Sequence, residues 1–313
     1  KHYRLHCLYR LLSELFYQYI NVEEGFIRQF SSINPPIARI FVQEDAVRDI
    51  KSEVLSYEMV SEGINQATCI TVGTCFCRHK MEHMGMACDN PQDVCLTFNA
   101  IAKDLASQGI AREISKKEAF DILNLCVDRG LVQIGDNVKD ELAIICNCCG
   151  CCCDLLLAYK RLGSTSLLNP TNYIAAVTED ACSGCGICVE KCPVDAISMK
   201  DGKAIVNKIV CLGCGVCTRF CPIESCVMET RPEKVFVPGN TIEKIALQSI
   251  DQGKTGNFIF DNQTSLVHKI LSGLINSFVK MPPVKKILLN KNVYPRILKL
   301  ILKNKKFNHA ANL

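Results

Sequence analysis

The sequence predicts an α+β protein in three parts: a helical and small αβ region rich in cysteine, a compact segment built on a repeated cysteine run, and a helical basic tail. Three observations carry this. Helical periodicity flanks a short strand pair ahead of residue 146. The cysteines of 182–193 and 211–222 share one spacing around a hairpin signal, and a helical apolar stripe runs among lysines in the last third. The expected divisions are 1–68 (helical), 69–171 (cysteine-rich αβ), 172–230 (the repeat) and 231–313 (tail).

Residues 1–33 read as helix, with an apolar face of Leu8, Leu11, Leu12, Leu15, Phe16 and Tyr19, and Asn34-Pro35-Pro36 stops it. A second helix is expected over 44–62, a short apolar strand over 69–74, and a helix over 97–108. Ser115 is an N-cap, with Glu118 completing a capping box, for a helix that stops at Gly130. Residues 131–134 and 142–145 pair as strands around Gly135-Asp136-Asn137, and this helix–hairpin unit delivers the chain into Cys146. Further on, Asp201-Gly202 marks a two-residue hairpin between 196–200 and 203–207. Arg231-Pro232 and Val237-Pro238-Gly239 then bound a linker.

Cysteine decides the chemistry. The 313 residues include 22 Cys, while 48% hydrophobic and 22% charged residues fit a folded protein. No stretch approaches the roughly 18 consecutive apolar residues of a spanning helix. The first residue is Lys1, so the lack of a signal peptide weighs little. A secreted disulfide framework and a thiol-rich metalloprotein are the competing readings. Cys151, Cys152 and Cys153 are contiguous, and Cys148 and Cys149 sit just before them. Neighbouring side chains diverge and rarely reach disulfide geometry, whereas thiolates for a soft metal need no pairing. The cysteines therefore read as ligands, and the expected location is a reducing cytoplasm.

The first run is Cys182-Ser-Gly-Cys185-Gly-Ile-Cys188-Val-Glu-Lys-Cys192-Pro193. The second is Cys211-Leu-Gly-Cys214-Gly-Val-Cys217-Thr-Arg-Phe-Cys221-Pro222. Both fit the C-x2-C-x2-C-x3-C-P spacing of bacterial ferredoxins. Two-residue gaps wrap three thiolates round one cube, and Gly184, Gly186, Gly213 and Gly215 let backbone N–H groups approach its sulfides. The fourth cysteine starts a short helix that carries it towards the other cluster. One [4Fe–4S] cluster thus takes Cys182, Cys185, Cys188 and Cys221, and the second takes Cys211, Cys214, Cys217 and Cys192. Two zinc sites are the competing reading, but zinc ribbons rarely need this phase repeated twice with trailing prolines. Cys226, just beyond, reads as packing. The segment resembles the 2[4Fe–4S] dicluster ferredoxins, which implies a ferredoxin-like βαβ-repeat fold and one-electron relay between two low-potential cubes.

Ten further cysteines form two groups: Cys75, Cys77, Cys88 and Cys95, then Cys146, Cys148, Cys149, Cys151, Cys152 and Cys153. Cys7, Cys69 and Cys126 lie in apolar patterns and read as core. Thr74-Cys75-Phe-Cys77-Arg78-His79, with Cys88, Pro91 and Cys95, followed by Cys146-Asn-Cys148-Cys149-Gly-Cys151-Cys152-Cys153, resembles a wider group. These are iron–sulfur proteins of anaerobic bacteria and archaea, with C-x-C-R and CNCC-rich segments ahead of a dicluster ferredoxin domain. Ten thiolates suffice for one or two further iron–sulfur clusters, and the spacing does not say which. Adjacent cysteines cannot all face one cube from a regular strand, because side chains alternate faces. They serve two clusters on opposite sides, or one larger cluster, or remain in part buried free thiols. Arg78 sits where it can orient one cluster loop.

His79-Lys-Met-Glu82-His83 matches H-x-x-E-H, but between cluster cysteines it reads as a solvated helix face or as hydrogen bonding to a cluster. No glycine motif for nucleotide or flavin is evident, and Gly253-Lys254-Thr255-Gly256 reads as a turn. Residues 230–313 carry fourteen Lys and Arg against four Asp and Glu, and no acidic residue follows Asp261. Val267, Ile270, Leu271, Leu274, Ile275, Phe278 and Val279 form a helical stripe, Met281-Pro282-Pro283 breaks it, and 284–302 continues with interspersed lysines. Residues 262–313 thus pack on the protein's own core, lie on an anionic membrane's inner face, or dock an acidic partner. Redox proteins are the expected partners and nucleic acid is not. The functional expectation is an electron-transfer protein of anaerobic metabolism. Its alternatives are an oxidoreductase with a catalytic cluster built from the upstream cysteines, or a redox-sensing regulator.

Overall fold

Apolar segments after Pro36 build one mixed sheet from β1 (Ala38–Ile40), β2 (Ile70–Thr74), β3 (Asp93–Phe98), β4 (Arg112–Glu113), β5 (Val132–Asp136), β6 (Ile144–Cys148) and β7 (Leu168–Asn169). The strand order is β4-β2-β3-β6-β5-β1-β7, antiparallel throughout except β1 with β7. This computed structural model describes residues 2–299 except 54, 141, 164–166, 261–263, 291–292, 295 and 297–298. Two compact units result: Lys1–Ser32, Pro36–Asp136 and Asp140–Phe236 make the first, and Ile33–Pro35, Asn137–Lys139 and Val237–Leu313 the second. The class is α+β.

Helices α1 (His2–Tyr17), α2 (Glu24–Ser31), α3 (Val60–Gln66), α4 (Phe76–His83), α5 (Asn99–Ser107), α6 (Lys116–Asp128) and α7 (Asp154–Leu162) accompany this sheet. The single helix expected over 1–33 is divided by a π turn at Gln18–Val22, and Glu23 is extended. The turn is tied down where Asn21 Nδ2 donates to Asp154 Oδ1 at 2.7 Å. The apolar face from Leu8 to Tyr19 is about half exposed rather than core. The helix expected over 44–62 is instead a 3-10 segment, Glu44–Glu53, a 3-10 turn at Ser56–Glu58, and the start of α3. Glu44 draws the segment back by accepting from Ser61 N at 3.0 Å and Ser61 Oγ at 2.9 Å.

Ser115 caps α6, its Oγ accepting from Glu118 N at 3.1 Å. The Glu118 carboxylate takes Arg112 at 2.6 Å, leaving the capping box half made. β5 and β6 start one and two residues later than expected and run past the expected ends, to Asp136 and Cys148. Asp136 Oδ2 accepts the N–H groups of Ala143 and Ile144 at 3.0 and 3.1 Å and so closes the turn two residues further along the chain. The extension puts Cys146 and Cys148 within β6 on one face, separated by the buried Asn147.

The repeat folds as β8 (Tyr173–Val177), α8 (Ile187–Lys191), β9 (Ile197–Lys200), β10 (Lys203–Val206), α9 (Val216–Arg219) and β11 (Cys226–Thr230). β8 pairs antiparallel with β11, and β9 with β10. Asp201 and Gly202, at φ 50° and 75°, make the two-residue turn their sequence announces. One core joins repeat and sheet: Ile134, Leu156 and Leu168 are buried in the same cluster as Tyr173, Val194 and Val216. Each such aliphatic side chain contributes about 1.5–3 kcal/mol when fully buried. A Cβ on Gly150 would overlap the Pro193 carbonyl and meet its Cα at 3.0 Å, so the cysteine turn after β6 presses on the repeat. Arg231, read as linker, instead donates to Thr171 O at 2.9 Å and Cys211 O at 2.6 Å.

In the second unit, α10 (Thr241–Asp251), α11 (Thr255–Ile259), α12 (Leu266–Val279) and α13 (Pro282–Leu288) follow one another. Gly256 lets α11 and α12 meet, since its Cβ would lie 2.7 Å from Ser272 Cα. The stripe of α12 is largely exposed, including Val267, Ile270, Leu274 and Phe278, because the helix packs through Ser272 and Val279. Pro282 and Pro283 open α13 at the positions a helix start tolerates. α13 forms the start of the continuation expected over 284–302, and most of the stretch after Leu288 lies outside the described residues.

Candidate metal centres

Two cavities flank α8 and α9. The first is lined by Cys182, Cys185, Cys188 and Cys221, the second by Cys192, Cys211, Cys214 and Cys217, and each encloses about 320 Å³ with its mouth included. In each, three thiols come from one run and the fourth from the other. The loops are narrow by construction. Gly184 and Gly213, both at φ +74°, have no room for a Cβ, which would strike Gly202 O in one case and Tyr173 O in the other. Backbone N–H groups point at sulfur: Ala196 N donates to Cys192 Sγ at 3.2 Å. The N–H groups of Ala204 and Gly184 hold the Cys182 thiol below its usual range. Burial pushes the thiols of Cys211 and Cys214 up, so a thiolate there calls for a bound cation. Four soft donors in a glycine-shaped loop with inward N–H groups fit a [4Fe–4S] cube.

The ten upstream cysteines gather into two sets. β3 and β6 pair Leu96 with Ile145, which brings Cys95 alongside Cys146. Cys146 is held well down by hydrogen bonds from the thiols of Cys148 and Cys95, and Cys153 by those of Cys148 and Cys77. The donors Cys77, Cys95 and Cys148 are correspondingly raised. Cys75, at the start of α4, lies within electrostatic reach of Cys146 and Cys153. This makes a six-thiol set. The second set is Cys88, Cys149, Cys151 and Cys152, whose sulfurs all lie within 4.8 Å of one another. The Cys149 thiol is drawn down to about 4, first by the Cys152 thiol and then by the Arg78 guanidinium. The expectation that adjacent cysteines alternate does not apply here, because 150–152 form a turn and not a strand.

Residues 175–198 match the 4Fe-4S binding domain family. This stretch is a 4Fe-4S binding domain. Among curated proteins, Protein Pixie of Drosophila melanogaster is 48% identical over 40 residues, covering 12% of this chain and 6% of that protein. Translation initiation factor rli1 of Schizosaccharomyces pombe is 56% identical over 32 residues, or 10% of this chain and 5% of its own. The chain thus spans about a twentieth of the length of these relatives. No solved structure matches.

Beside the 4Fe-4S binding domain, three features were not legible as site residues. Cys226 lines the first cavity and its thiol bonds Cys217 of the second, so it stands between them. Asp154 and Lys80 form a buried ion pair, and Cys77 Sγ donates to Asp154 Oδ2 at 3.6 Å. The position of Asp154 directly after Cys153 is the one sequence signal for it. Finally, Tyr9, Leu12, Ser13 and Phe16 of α1 face Phe76, His79, Lys80 and His83 of α4 across a cavity of about 300 Å³. His79 and His83 line it with Nε2 atoms 3.1 Å apart, and Glu82 of the same motif accepts from Gln92 at 2.7 Å and lies 3.5 Å from His79 Nδ1. Arg78, read as orienting a cluster loop, is fully buried and donates to Asn147 O at 3.0 Å and to Pro91 O.

Proposed function

We propose that this protein relays single electrons through two [4Fe–4S] clusters and a further cluster on the six-thiol set. One cube is held by Cys182, Cys185, Cys188 and Cys221, the other by Cys211, Cys214, Cys217 and Cys192. The observation that carries the reading is the crossed lining of the two cavities by the duplicated runs. Bound clusters supply one-electron oxidation and reduction with little change of shape. The chain's own residues supply the route. Cys185 is exposed and gives the first cavity an outlet to a redox partner. Cys226 stands between the cavities, and Gly150 seats the upstream turn against Pro193, beside Cys192. Cys148 and Cys153 share one buried core with the repeat cysteines, which supports the six-thiol set as the inner end of the relay.

The test is stepwise reduction of anaerobically purified protein followed by EPR, with an artificial donor and acceptor. Two interacting low-potential clusters that pass electrons to an acceptor support the reading, and redox-silent metal refutes it. A second reading is favoured by the cavity between α1 and α4. Lys80 lines it and reaches Asp154, which bonds Cys77 of the six-thiol set. A small aromatic or anionic substrate reduced there makes the protein an oxidoreductase, and turnover lost in Lys80→Met with iron content retained distinguishes it.

A further inference from the structure

We propose that Cys88, Cys149, Cys151 and Cys152 bind a single tetrahedral metal ion of the Zn²⁺ type, distinct from any iron–sulfur cluster. Spacing is the first argument. A metal–sulfur bond of about 2.3 Å places four tetrahedral thiolates about 3.8 Å apart. A cube, whose thiolates each sit outside a separate iron, holds them roughly 6 Å apart. Cys88 Sγ lies 3.6 Å from Cys149 Sγ and 3.7 Å from Cys152 Sγ, and Cys151 Sγ lies 3.7 Å from Cys152 Sγ. Among the described residues this is the set of four thiols in which every sulfur lies within 4.8 Å of every other, whereas the hydrogen-bonded thiols of the six-thiol set run as a chain, Cys95, Cys146, Cys148, Cys153 and Cys77. The repeat thiols line two cavities, and among the described residues no three of them gather within that distance.

Charge is the second. A divalent ion with four thiolates keeps a net double negative charge, which a buried site must offset. Arg78 is fully buried, and its Nη2 lies 3.8 Å from Cys149 Sγ. Its Nε is a buried donor with no partner. Asn90 Nδ2 donates to Cys88 Sγ at 3.3 Å. Both are the outer hydrogen bonds that tune and orient metal-bound sulfur.

Position is the third. Cys149 and Cys152 belong to a small core with Met81, Val94, Cys126 and Leu131, apart from the core that holds Cys148, Cys153 and the repeat. A metal here clips the loop before β3 to the turn after β6, 61 residues away in sequence. It thereby holds the turn whose Gly150 meets Pro193. The role is structural.

The test uses the full chain purified without oxygen, with zinc, iron and acid-labile sulfide measured per chain. The expected result is one zinc beyond the iron–sulfur content, with four sulfurs at about 2.3 Å in its X-ray absorption spectrum. The double variant Cys88→Ser/Cys151→Ser loses that one equivalent and keeps its iron and sulfide. One iron without matching sulfide, lost in the same variant, identifies the ion as Fe²⁺ and keeps the site. Loss of about four iron and four sulfide from the variant overturns the proposal. So does wild-type protein in which all metal is iron matched by sulfide, a result that stands even if the variant fails to fold. None of these outcomes depends on the repeat clusters, which variants of the other cysteines address.

Discussion

Replacing Asp154 with asparagine isolates one buried charge. Asp154 and Lys80 pair with side-chain exposures of 10% and 2%, and the carboxylate also accepts from Asn21 and Cys77. Asp154→Asn keeps the shape and leaves the Lys80 ammonium without its counter-charge. Removing one partner of a buried pair costs about 3–5 kcal/mol, much of it the penalty of the abandoned charge. The residual exposure of Asp154 and the nearby Tyr17 ring, 5.3 Å from Lys80 Nζ, place the cost at the low end of that range. With a guanidinium slope of about 4 kcal/mol per molar, the unfolding midpoint falls by about 0.8 M. The assay is anaerobic guanidinium unfolding followed by far-ultraviolet circular dichroism. Lys80→Met/Asp154→Leu removes both charges together and recovers at least half of the loss. A midpoint for Asp154→Asn within about 0.2 M of the parent would refute the buried-pair account, as would a double variant no better than the single.

Other outcomes follow from the same geometry. Cys221→Ser combined with Cys188→Ser loses no more iron than either alone, because both thiols line one cavity, whereas Cys221→Ser with Cys217→Ser depletes both; iron per chain decides. Gly213→Ala sets a Cβ against Tyr173 O at a positive φ and abolishes stable cluster binding, while Gly186→Ala meets nothing within 4 Å and costs only about 1–2 kcal/mol of backbone strain; absorbance near 400 nm, roughly where these clusters absorb, reads both. Cys226→Ala keeps the full iron content, since both cavities already have four thiols without it. Ser115→Ala removes the cap on α6 and costs about 1 kcal/mol in thermal unfolding.

The repeat was the most legible part of the chain, because its spacing encodes local geometry. Three thiols on a seven-residue loop, glycines at left-handed positions and an Asp-Gly turn leave few conformations. The Ser115 cap and the strands leading to Cys146 were visible for the same local reason. The seven-stranded sheet was not, since β1, β4 and β7 have only two or three residues and owe their pairing to neighbours. The 44–62 segment shows tertiary contacts overriding helical periodicity. The split of the ten upstream cysteines was hidden by their contiguity: whether Cys152 and Cys153 face one way depends on a turn, and on Cys88 and Cys95 arriving from a distant loop and strand. Cys226 reads as packing in the sequence, and only the crossing of the two runs puts it between the cavities.

The central claim is that the duplicated cysteine runs hold two [4Fe–4S] clusters. Iron and acid-labile sulfide per chain, on protein purified without oxygen, test it most directly. The account predicts at least eight of each, with Cys185→Ser and Cys214→Ser each removing about four. Four or fewer of each, or zinc without sulfide in the repeat, contradicts it.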